Sequence, residues 1–582
     1  MLLQKWVEFF NNAALSHERN LWLQSPPSYI PTAIRYLIKL DAQGKYLGLV
    51  VTSSGRKRDR GEYYAAPHIL VAGGFKAKLL VGNCEYALGR ARHAQKLDEN
   101  IPKRHQAFVE EVEICAKETA NPHVQAVLNF LNSNVIQTVD LPDDFSPEDL
   151  FTFQVEGILP IDSLEVKAYW AKHRRDDRPK GNSGDQSQCL ICRAISFPTE
   201  RHPIRLKGIP GGQTSGMALV SANARAFESY GLQASRIAPI CLDCAERYAK
   251  VYYFLRESEE THLLVGSLVY LFWTREPVGF SIASLFSQPQ PEDVKALIAS
   301  AHTGRPFTPL DTQTFYATAL TASGGRVVVR DWLETTVGQV KEHLARWFAL
   351  QNIVDWEGSE GSPYGLFTLT RSLIPQKGDM QRDLPPNAPL AMLKVALQGG
   401  PLPPWLLFLA IKRNRAEQAI TRPRAALIKM ALLSQENNFQ EDAMVQLDED
   451  NHHPSYLCGR LLAVLEQVQF QAVSHRSTLI DRCYGTASTA PGSVFPRLIR
   501  GVQAHLGKLR KKRFGAYSGL QGRLEAVMEN LAGFPKVLTL EEQGWFSLGY
   551  YHQRAWDRSQ AKARRAAGEA ATESENHSDD PE

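Results

Sequence analysis

The chain has 582 residues, more than a single hydrophobic core usually supports, so several domains are expected. Apolar residues make up 43% of the chain and charged residues 22%, a globular composition that excludes a fibrous or mostly disordered protein. The 66 basic and 62 acidic residues leave a net charge of +4, which by itself does not indicate nucleic-acid binding. Any such function must depend on local clusters of charge.

The N-terminal 20 residues place apolar side chains at helical spacing and lack the continuous apolar block of a signal peptide. The most apolar run, residues 263–273, is shorter than the roughly 20 residues that a membrane-spanning helix needs. This run predicts a buried strand or helix. We therefore expect a cytoplasmic protein without membrane contact.

Several elements can be predicted in chain order. The segments IRYLIKL and YLGLVVT, joined by DAQGK with Gly44 at the turn, predict a hairpin within residues 29–52. Two helices are expected within residues 103–134, separated by Asn121 and Pro122. The segment FTFQVEG predicts a short strand, and a second hairpin around Ser-Gly-Gly is expected before a helix over residues 337–348.

These patterns predict an α+β fold. A mixed N-terminal body with antiparallel sheets and a zinc-knuckle insertion is followed by an all-α helical bundle. The predicted boundaries are an N-terminal α+β domain at 1–180, a four-cysteine and glycine-rich region at 181–260, a second α+β segment at 261–384, a helical bundle at 385–557 and a disordered tail at 558–582.

Four of the eight cysteines form two CxxC pairs, Cys189 with Cys192 and Cys241 with Cys244. Two such pairs supply the closed four-thiolate shell of a structural zinc ion. A redox pair or buried cysteines without a metal are the alternatives. Zinc deaminases also need a His or Cys ligand followed two residues later by a general acid/base Glu, and this chain lacks that half of the motif. A closed four-thiolate shell leaves no coordination position for a reactive water, so we do not expect catalytic zinc.

Other catalytic signatures are weak. The chain has no phosphate-binding loop of the GxxxxGK[ST] type. Asp143 with Glu165 and Lys167 loosely matches a metal-dependent nuclease pattern, although such a match often arises by chance in a long chain. From the residues alone, the signal for catalysis is therefore weak.

Three N-terminal segments combine basic residues or glycines in patterns that suit nucleic acid, although each also suits an ordinary surface turn. One contains Arg56, Lys57 and Arg58; the second, GGFKAKLLVGN, contains Lys76, Lys78 and Asn83; the third, KGIPGGQTSG, contains Gln213 and Ser215. A helix is expected to begin near Met217, directly after the third segment.

Two basic clusters lie further along the chain. One comprises Lys508, Arg510, Lys511, Lys512 and Arg513, and the other comprises Lys412, Arg413, Arg415, Arg422 and Arg424. Solvated helix faces explain such clusters as readily as a binding surface does.

Several strings taken together resemble the large subunit of the type I-C CRISPR Cascade surveillance complex. They include IRYLIKLDAQGKYLGL, GGFKAKLLVGNCEYALG, HPIRLKGIPGGQTSGMALVSANARAFESYG, VVVRDWLETTVGQVKEHLARWF, HPSYLCGRLLAVLEQVQ and FSLGYYHQR. They occur in order over roughly residues 1–555, which is nearly the whole chain. The zinc prediction rests on the cysteine spacing and not on this resemblance.

The resemblance implies a non-catalytic subunit of an RNA-guided complex, which recognises the protospacer-adjacent motif in duplex DNA, promotes R-loop formation and stabilises the displaced strand. The implied partners are the Cascade backbone and crRNA-processing subunits, crRNA, target DNA and a recruited nuclease-helicase. Motif recognition is expected at Lys76, Lys78, Asn83, Gln213 and Ser215, duplex phosphate contacts at Arg56, Lys57 and Arg58, and strand contacts at Lys508, Arg510, Lys511, Lys512 and Arg513.

The resemblance also implies a separate small subunit made from an internal start, for which Met444 is the candidate. Two other functions stay open from the residues alone. One is a metal-dependent nuclease that uses Asp143, Glu165 and Lys167, and the other is a stand-alone zinc-containing DNA-binding protein.

Overall fold

A computed structural model describes residues 1–16, 20–54, 59–69, 75–91, 99–142, 145–176, 186–222, 224–275, 281–302, 311–379, 382–435, 443–473 and 479–576. The chain divides into two compact units. Unit 1 comprises Met1–Ser258 with Ala322–Val328, and unit 2 comprises Glu259–Thr321 with Val329–Glu582. The α+β class predicted from the sequence is confirmed, as are small antiparallel sheets and a helical C-terminal region.

Unit 1 contains short strands and seven helices within its described residues. In chain order these are α1 (Leu2–Ser16), α2 (Leu21–Gln24), β1 (Tyr29–Ile34), β2 (Tyr36–Leu40), β3 (Tyr46–Val51), β4 (Glu62–Pro67), α3 (Cys84–Ala87), α4 (Ile101–Thr119), α5 (Pro122–Leu131), β5 (Phe151–Val155), α6 (Leu164–Asp176), β6 (Ser187–Gln188), β7 (Ile195–Ser196) and α7 (Leu242–Glu257).

The predicted first hairpin is confirmed as the antiparallel pair β2 and β3. Its turn is stabilised by Asp41, whose Oδ1 accepts hydrogen bonds from the backbone N–H of Gln43 at 3.0 Å and of Lys45 at 2.8 Å. Gly44 has φ 90°, and a Cβ there would lie 2.3 Å from the Ala126 carbonyl oxygen, so only glycine fits. Strand β5 pairs with β2 in parallel, which makes this three-stranded sheet mixed, whereas the sequence predicted antiparallel sheets.

The core of unit 1 lies between this sheet and the predicted helix pair α4 and α5. The rings of Phe108 on α4 and Phe130 on α5 lie 6.3 and 6.2 Å from that of Phe153 on β5. All three side chains are fully buried. Asn121 caps α5 by accepting hydrogen bonds from the N–H groups of His123 and Val124, which explains the break between the two helices.

Helix α7 anchors the N-terminal segment through buried polar groups. The Glu246 carboxylate accepts hydrogen bonds from the Ser28 backbone N–H at 2.7 Å and from the Ser28 hydroxyl at 3.2 Å. The Lys250 ammonium donates to the Ser25 carbonyl at 2.8 Å and to the Pro26 carbonyl at 2.9 Å. These bonds fix the turn from which β1 begins.

Unit 2 contains one four-stranded sheet, in the order β11-β10-β9-β8, and twelve helices within its described residues. The elements are β8 (His262–Val265), β9 (Leu268–Thr274), α8 (Ile282–Ser287), α9 (Pro291–His302), β10 (Thr314–Ser323), β11 (Arg326–Thr336), α10 (Val337–Gln351), α11 (Leu366–Arg371), α12 (Asn387–Gln398), α13 (Pro404–Glu417), α14 (Arg422–Leu433), α15 (Pro454–Val473), α16 (Leu479–Ala487), α17 (Pro491–Lys512), α18 (Phe514–Glu529) and α19 (Leu540–Asn576).

The apolar run at residues 263–273 forms the hairpin of β8 and β9, with Gly266 in the left-handed region at the turn. A single hydrophobic core extends from Leu263 to Ala555, and it therefore continues across residue 385, where the sequence predicted a domain boundary. No helix in the described ranges is long and apolar enough to cross a bilayer.

Helix α19 continues to Asn576, beyond the tail boundary predicted at residue 558. The sequence QAKARRAAGEAATESE is rich in alanine and also contains arginine and glutamate, which have high helix propensity, so an extension of the preceding helix needs no apolar face. Residues 577–582 of the predicted tail lie outside the described part of the chain.

Two glycines allow helices α15 and α19 to pack with their backbones in contact. A Cβ at Gly459 would lie 2.0 Å from the Phe546 carbonyl oxygen, and a Cβ at Gly549 would lie 2.0 Å from the Tyr456 carbonyl oxygen. The two substitutions would force the helices apart because the obstructing atoms are backbone atoms.

We predict that Gly549→Ala destabilises unit 2 by about 1–3 kcal/mol, the usual cost of overpacking a core. The control is Gly522→Ala on the exposed face of α18, where a Cβ meets nothing within 4 Å and alanine should stabilise the helix by about 0.5–1 kcal/mol. Urea denaturation of the two variants measures the difference. Equal midpoints for the two variants would show that the helices do not cross at Gly549.

Candidate nucleic-acid interface and metal centre

An open cavity of about 370 Å³ lies beside β1 in unit 1. Basic side chains from separate segments of the chain reach it. Its lining comprises residues 30–33, Arg60, His68, Lys78, Glu148, Asp149, Leu150 and Lys207. The cavity thus brings Lys78, a predicted motif-reading residue, together with the first residue of the glycine-rich loop KGIPGGQTSG.

The carboxylates of this cavity are already paired. Asp149 accepts from Arg35 at 3.0 Å, and Glu148 lies 3.0 Å from Arg60. Lys78 and Lys207, in contrast, have no carboxylate oxygen within 4.0 Å among the residues that the structure describes. Two ammonium groups without compensating acids produce a positive potential that favours a bound anion.

Burial makes the Lys78 charge costly in the absence of an anion. It lowers the pKa of the Lys78 ammonium below its ordinary value, and the Lys207 charge lowers it further. Burial and the Lys78 charge also lower the pKa of His68 to about 4. His68 Nε2 lies 2.9 Å from the Pro203 carbonyl oxygen, and Nδ1 is buried with no hydrogen-bond partner in the described part of the chain. A phosphate group in the cavity would relieve the repulsion between the two lysines.

Asn83 has a structural contact of its own. Its Oδ1 caps α3 by accepting hydrogen bonds from the N–H of Glu85 at 3.2 Å and of Tyr86 at 3.3 Å. The side-chain amide nitrogen is therefore the group that is left for a base edge. Lys76 is exposed, two residues before Lys78. The preceding Phe75 is 40% exposed, and its ring lies under the Lys103 ammonium at 5.8 Å.

The glycine-rich loop is closed by backbone pairing. Leu206 and Met217 exchange hydrogen bonds of 2.9 and 2.8 Å, so residues 207–216 form the loop between them. The helix expected near Met217 is absent: the prediction was wrong. Because Met217 pairs with Leu206, and Ala218 pairs with Gly325 and Val327, the backbone groups that a helix would use are occupied.

Helix α7 holds the base of this loop. The Tyr252 hydroxyl donates to the Lys207 carbonyl at 2.7 Å, and the Tyr253 hydroxyl accepts from the Lys207 N–H at 3.1 Å. Further along the loop, Ile209 is buried and Arg256 donates to the Gly208 carbonyl, whereas Gln213 and Ser215 are both exposed. A Cβ at Gly325 would lie 3.4 Å from Gln213 Oε1, which places Gln213 against the hairpin turn at residues 322–328 of unit 1.

Unit 1 has two further surface features that could hardly be predicted from the sequence, a cation–ring pair and an exposed tyrosine. The Arg326 guanidinium lies 3.8 Å above the Phe227 ring. Tyr230 is fully exposed with φ 52°, and the following Gly231 has φ 73°, so this aromatic ring occupies a two-residue turn that normally favours Asn or Gly. The Tyr-Gly pair in a polar stretch is the one local sign of this turn.

The C-terminal basic cluster occupies the end of helix α17 in unit 2. Its members Lys508, Arg510, Lys511, Lys512 and Arg513 are all exposed, and Arg513 donates to the Gln471 side chain at 2.8 Å. Cations at a helix C-terminus also interact favourably with the helix dipole, so the position alone does not assign them a ligand.

The upstream cluster does not form one basic face. Arg424 is 2% exposed and donates to the Asn414 side chain at 3.1 Å and to the Ala419 carbonyl at 2.9 Å. Arg422 donates to the Ile353 carbonyl at 3.1 Å. Lys412 and Arg415 are exposed on α13. The predicted phosphate contacts Arg56, Lys57 and Arg58 lie outside the described residues.

The four cysteines of the two CxxC pairs converge. The Sγ atoms of Cys189, Cys192, Cys241 and Cys244 all lie within 4.8 Å of one another, and those of Cys192 and Cys241 are 3.8 Å apart. A tetrahedral zinc ion with Zn–S bonds of about 2.3 Å separates its sulfurs by about 3.8 Å, so the cluster can hold such a metal.

Local backbone structure forms this cluster. Cys189 donates its N–H to the Ala194 carbonyl, and Arg193, which donates to the Cys189 carbonyl at 2.9 Å, has φ 62° in the tight turn. Cys241 is the N-cap of α7, and its N–H lies 3.4 Å from Cys189 Sγ. The hydrogen bond between Cys241 and Cys244 lowers the pKa of the Cys241 thiol and raises that of the Cys244 thiol, so Cys241 is the first of the two to become a thiolate.

The nuclease pattern is not assembled among the described residues. Glu165 is exposed and bonded to the Ser163 hydroxyl, and Lys167 lies 3.2 Å from Asp162. Asp143 lies outside the described residues. Within the described ranges, the four cysteines are the one group of three or more side chains placed to hold a metal.

A comparison with protein-family models matches residues 8–557 to the CRISPR-associated protein (Cas_Csd1) family. The chain belongs to this family. Its members are large subunits of the type I-C Cascade complex, so membership implies assembly with crRNA and other Cas subunits. The resemblance noted from the sequence is confirmed over nearly the whole chain. A comparison with curated proteins found no match.

Proposed function

We propose that this Cas_Csd1-family subunit recognises the protospacer-adjacent motif in target duplex DNA and promotes R-loop formation, without catalysing a reaction itself. The observation that carries the proposal is the pair Lys78 and Lys207, two lysines without carboxylate partners among the described residues, at a cavity next to the exposed glycine-rich loop. Phosphate groups position a protein on DNA, and neighbouring donors then read the base edges.

The proposed contacts divide into two roles. The sequence predicted Lys78 as a motif-reading residue; we now assign it with Lys207 to a backbone phosphate, since a half-buried ammonium beside a second one favours an anion. Lys76 and the amide nitrogen of Asn83 face the bases, and Gln213 and Ser215 contact DNA from the exposed loop. Arg56, Lys57 and Arg58 add phosphate contacts along the duplex.

The basic end of α17 extends this function to unit 2. Lys508, Arg510, Lys511, Lys512 and Arg513 present exposed cations at one end of a helix, which suits the backbone of the displaced single strand. The opened target is then accessible to the recruited nuclease-helicase.

We predict different defects from two double variants in the complex assembled with its partner subunits and crRNA. Lys78→Ala with Lys207→Ala should weaken binding to every target duplex and lower the slope of log K against log salt by about 1 for each phosphate that is no longer neutralised. Lys76→Ala with Asn83→Ala should reduce discrimination between adjacent motifs by about 5- to 150-fold. Binding across a library of adjacent-motif sequences at several salt concentrations measures both.

The matched control is Lys172→Ala, which removes an exposed lysine of unit 1 that lies 3.9 Å from Glu118. Motif preference and affinity that stay at control levels in both double variants would refute the proposal. Tight sequence-specific binding by the chain without crRNA would instead favour the stand-alone DNA-binding protein.

We further propose that the four-cysteine cluster holds one structural zinc ion. The support is the mutual approach of the four sulfurs and the position of Cys241 at the start of α7. A zinc ion there would join residues 189–196 to the helix that supports the glycine-rich loop. It would contribute stability and no reaction, because four thiolates close its coordination shell.

We predict that the purified chain contains about one zinc ion and that Cys189→Ser with Cys241→Ser removes it and lowers the thermal midpoint. The control is Cys483→Ser, which changes a half-buried cysteine of unit 2 outside the cluster. Elemental analysis and thermal unfolding provide the two measurements. Equal zinc content in the double variant and the control would contradict the assignment.

Met444 is proposed as the internal start of a separately made small subunit. Residues 444–582 would include helices α15 to α19, in which α15 packs against each of the other four. The loop that carries Met444 leads directly into α15.

We predict that expression of the gene yields this short product and that Met444→Leu abolishes it while the full chain remains. Immunoblotting with an antibody to the C-terminal region, together with N-terminal sequencing, detects the product. Met430→Leu, which changes the nearest upstream methionine, is the control. Undiminished short product from the Met444→Leu gene would contradict the assignment.

A further inference from the structure

Helix α13 of unit 2 exposes two aromatic rings on one face. Trp405 is 37% exposed and Phe408 is 51% exposed, although large aromatic side chains are normally mostly buried. The opposite face packs into the core through Leu406, Leu407 and Ile411, which are at most 3% exposed. The core therefore covers only part of each of these two rings, and the rest of their apolar surface faces solvent.

Two cations continue the same face toward the C-terminus of the helix. Lys412 lies four residues after Phe408, and Arg415 lies three residues after Lys412. The two cations therefore lie on the same side of the helix as the two aromatic rings. Neither cation has a carboxylate within 4.0 Å in the described part of the chain. The one acidic residue of α13, Glu417, is bonded to the buried Arg424.

The exposed residues of α13 have a uniform chemistry. They are Pro404, Trp405, Phe408, Lys412, Arg415 and Ala416, and none of them carries a hydrogen-bond acceptor in its side chain. Aromatic rings accept stacked bases, and cations pair with phosphates. The combination therefore suits a single-stranded nucleic acid, and the proposed function supplies a DNA strand of this kind when the target duplex opens.

The size of the face fits a short strand. Trp405 and Arg415 are ten residues apart, about 15 Å along the helix axis. Phosphates follow one another about every 3.4 Å along a stacked strand, so several nucleotides can lie on the face.

We infer that the exposed face of α13, formed by Trp405, Phe408, Lys412 and Arg415, binds single-stranded DNA by stacking bases on the two rings and pairing phosphates with the two cations. The inference rests on the proposed function in one respect: the bound strand is the one displaced when the target duplex opens. The face precedes Met444, so it belongs to the large subunit alone and is separate from the basic end of α17.

Two double variants of the purified full chain test this site. Trp405→Ala with Phe408→Ala should weaken binding of labelled oligothymidine by about tenfold or more and leave the salt slope unchanged, because stacking involves no counterion release. Lys412→Gln with Arg415→Gln should lower the salt slope by about 1.4, the contribution of two phosphates on a single strand. Fluorescence anisotropy measures both, and all four residues are exposed, so the fold should be retained.

The control is Phe367→Ala, which removes a 54% exposed aromatic ring from α11. Photo-crosslinking of an iodouracil-substituted strand, followed by peptide mapping, should place crosslinks within residues 404–417. Affinity of the aromatic variant equal to that of the control, tighter binding of oligouridine than of oligothymidine, or crosslinks confined to other segments would overturn the inference. Loss of Cascade assembly with unchanged oligothymidine affinity would overturn it in favour of a protein interface.

This experiment is independent of the motif test. If both double variants of the motif test stayed at control levels, the proposed function would fail while crosslinks to α13 would still form on the isolated chain. If crosslinks to α13 were absent while motif discrimination was lost in the Lys76 and Asn83 variant, the inference alone would fail.

Discussion

The architecture of unit 1 depends on the buried polar side of helix α7. Glu246 and Lys250, both at most 5% exposed, bond the turn before β1, and the tyrosines one turn further along bond the base of the glycine-rich loop. Burial raises the pKa of Glu246 and lowers that of Lys250 to about 8, so each charge depends on its hydrogen bonds and on the other's attraction. The N-terminus of the same helix supplies two of the four cysteines. One helix thus connects the candidate metal centre, the N-terminal strand and the glycine-rich loop.

Much of the fold could be predicted from local patterns. The β2–β3 hairpin followed from alternating residues around Gly44, and the division between α4 and α5 followed from the Asn-Pro pair. The parallel position of β5 could not be predicted, because the pairing partner of a strand far away in sequence leaves no local signal. The error at Met217 has a similar cause. Its helix-like context was overridden by hydrogen bonds to Leu206 and by the pairing of Ala218 with residues of a hairpin more than 100 positions away.

The candidate sites were predictable to different degrees. The four cysteines were predictable because metal ligands must occur in pairs at short, fixed spacing. Lys78 was predictable as a member of a basic segment, but its partners Lys207 and His68 were not, because only the folded chain brings the three together. The exposure of Trp405 and Phe408 could not be predicted from the sequence, because both residues belong to an apolar helical segment. Only the structure distinguishes these exposed rings from the buried core residues beside them.

On the proposed assignment, Asn83 has a double role that restricts how this protein can change its motif preference. Its amide group caps a helix with the oxygen and would read a base with the nitrogen. Replacement by a residue that cannot cap would cost about 1 kcal/mol of local stability. Asp, Ser and Thr at this position would still cap α3, but they lack the amide N–H₂ group that Asn83 would donate to a base. Divergence of specificity at this position is therefore confined to a few side chains, and larger changes would have to arise in the exposed loops, where side chains can vary without breaking a hydrogen bond of the fold.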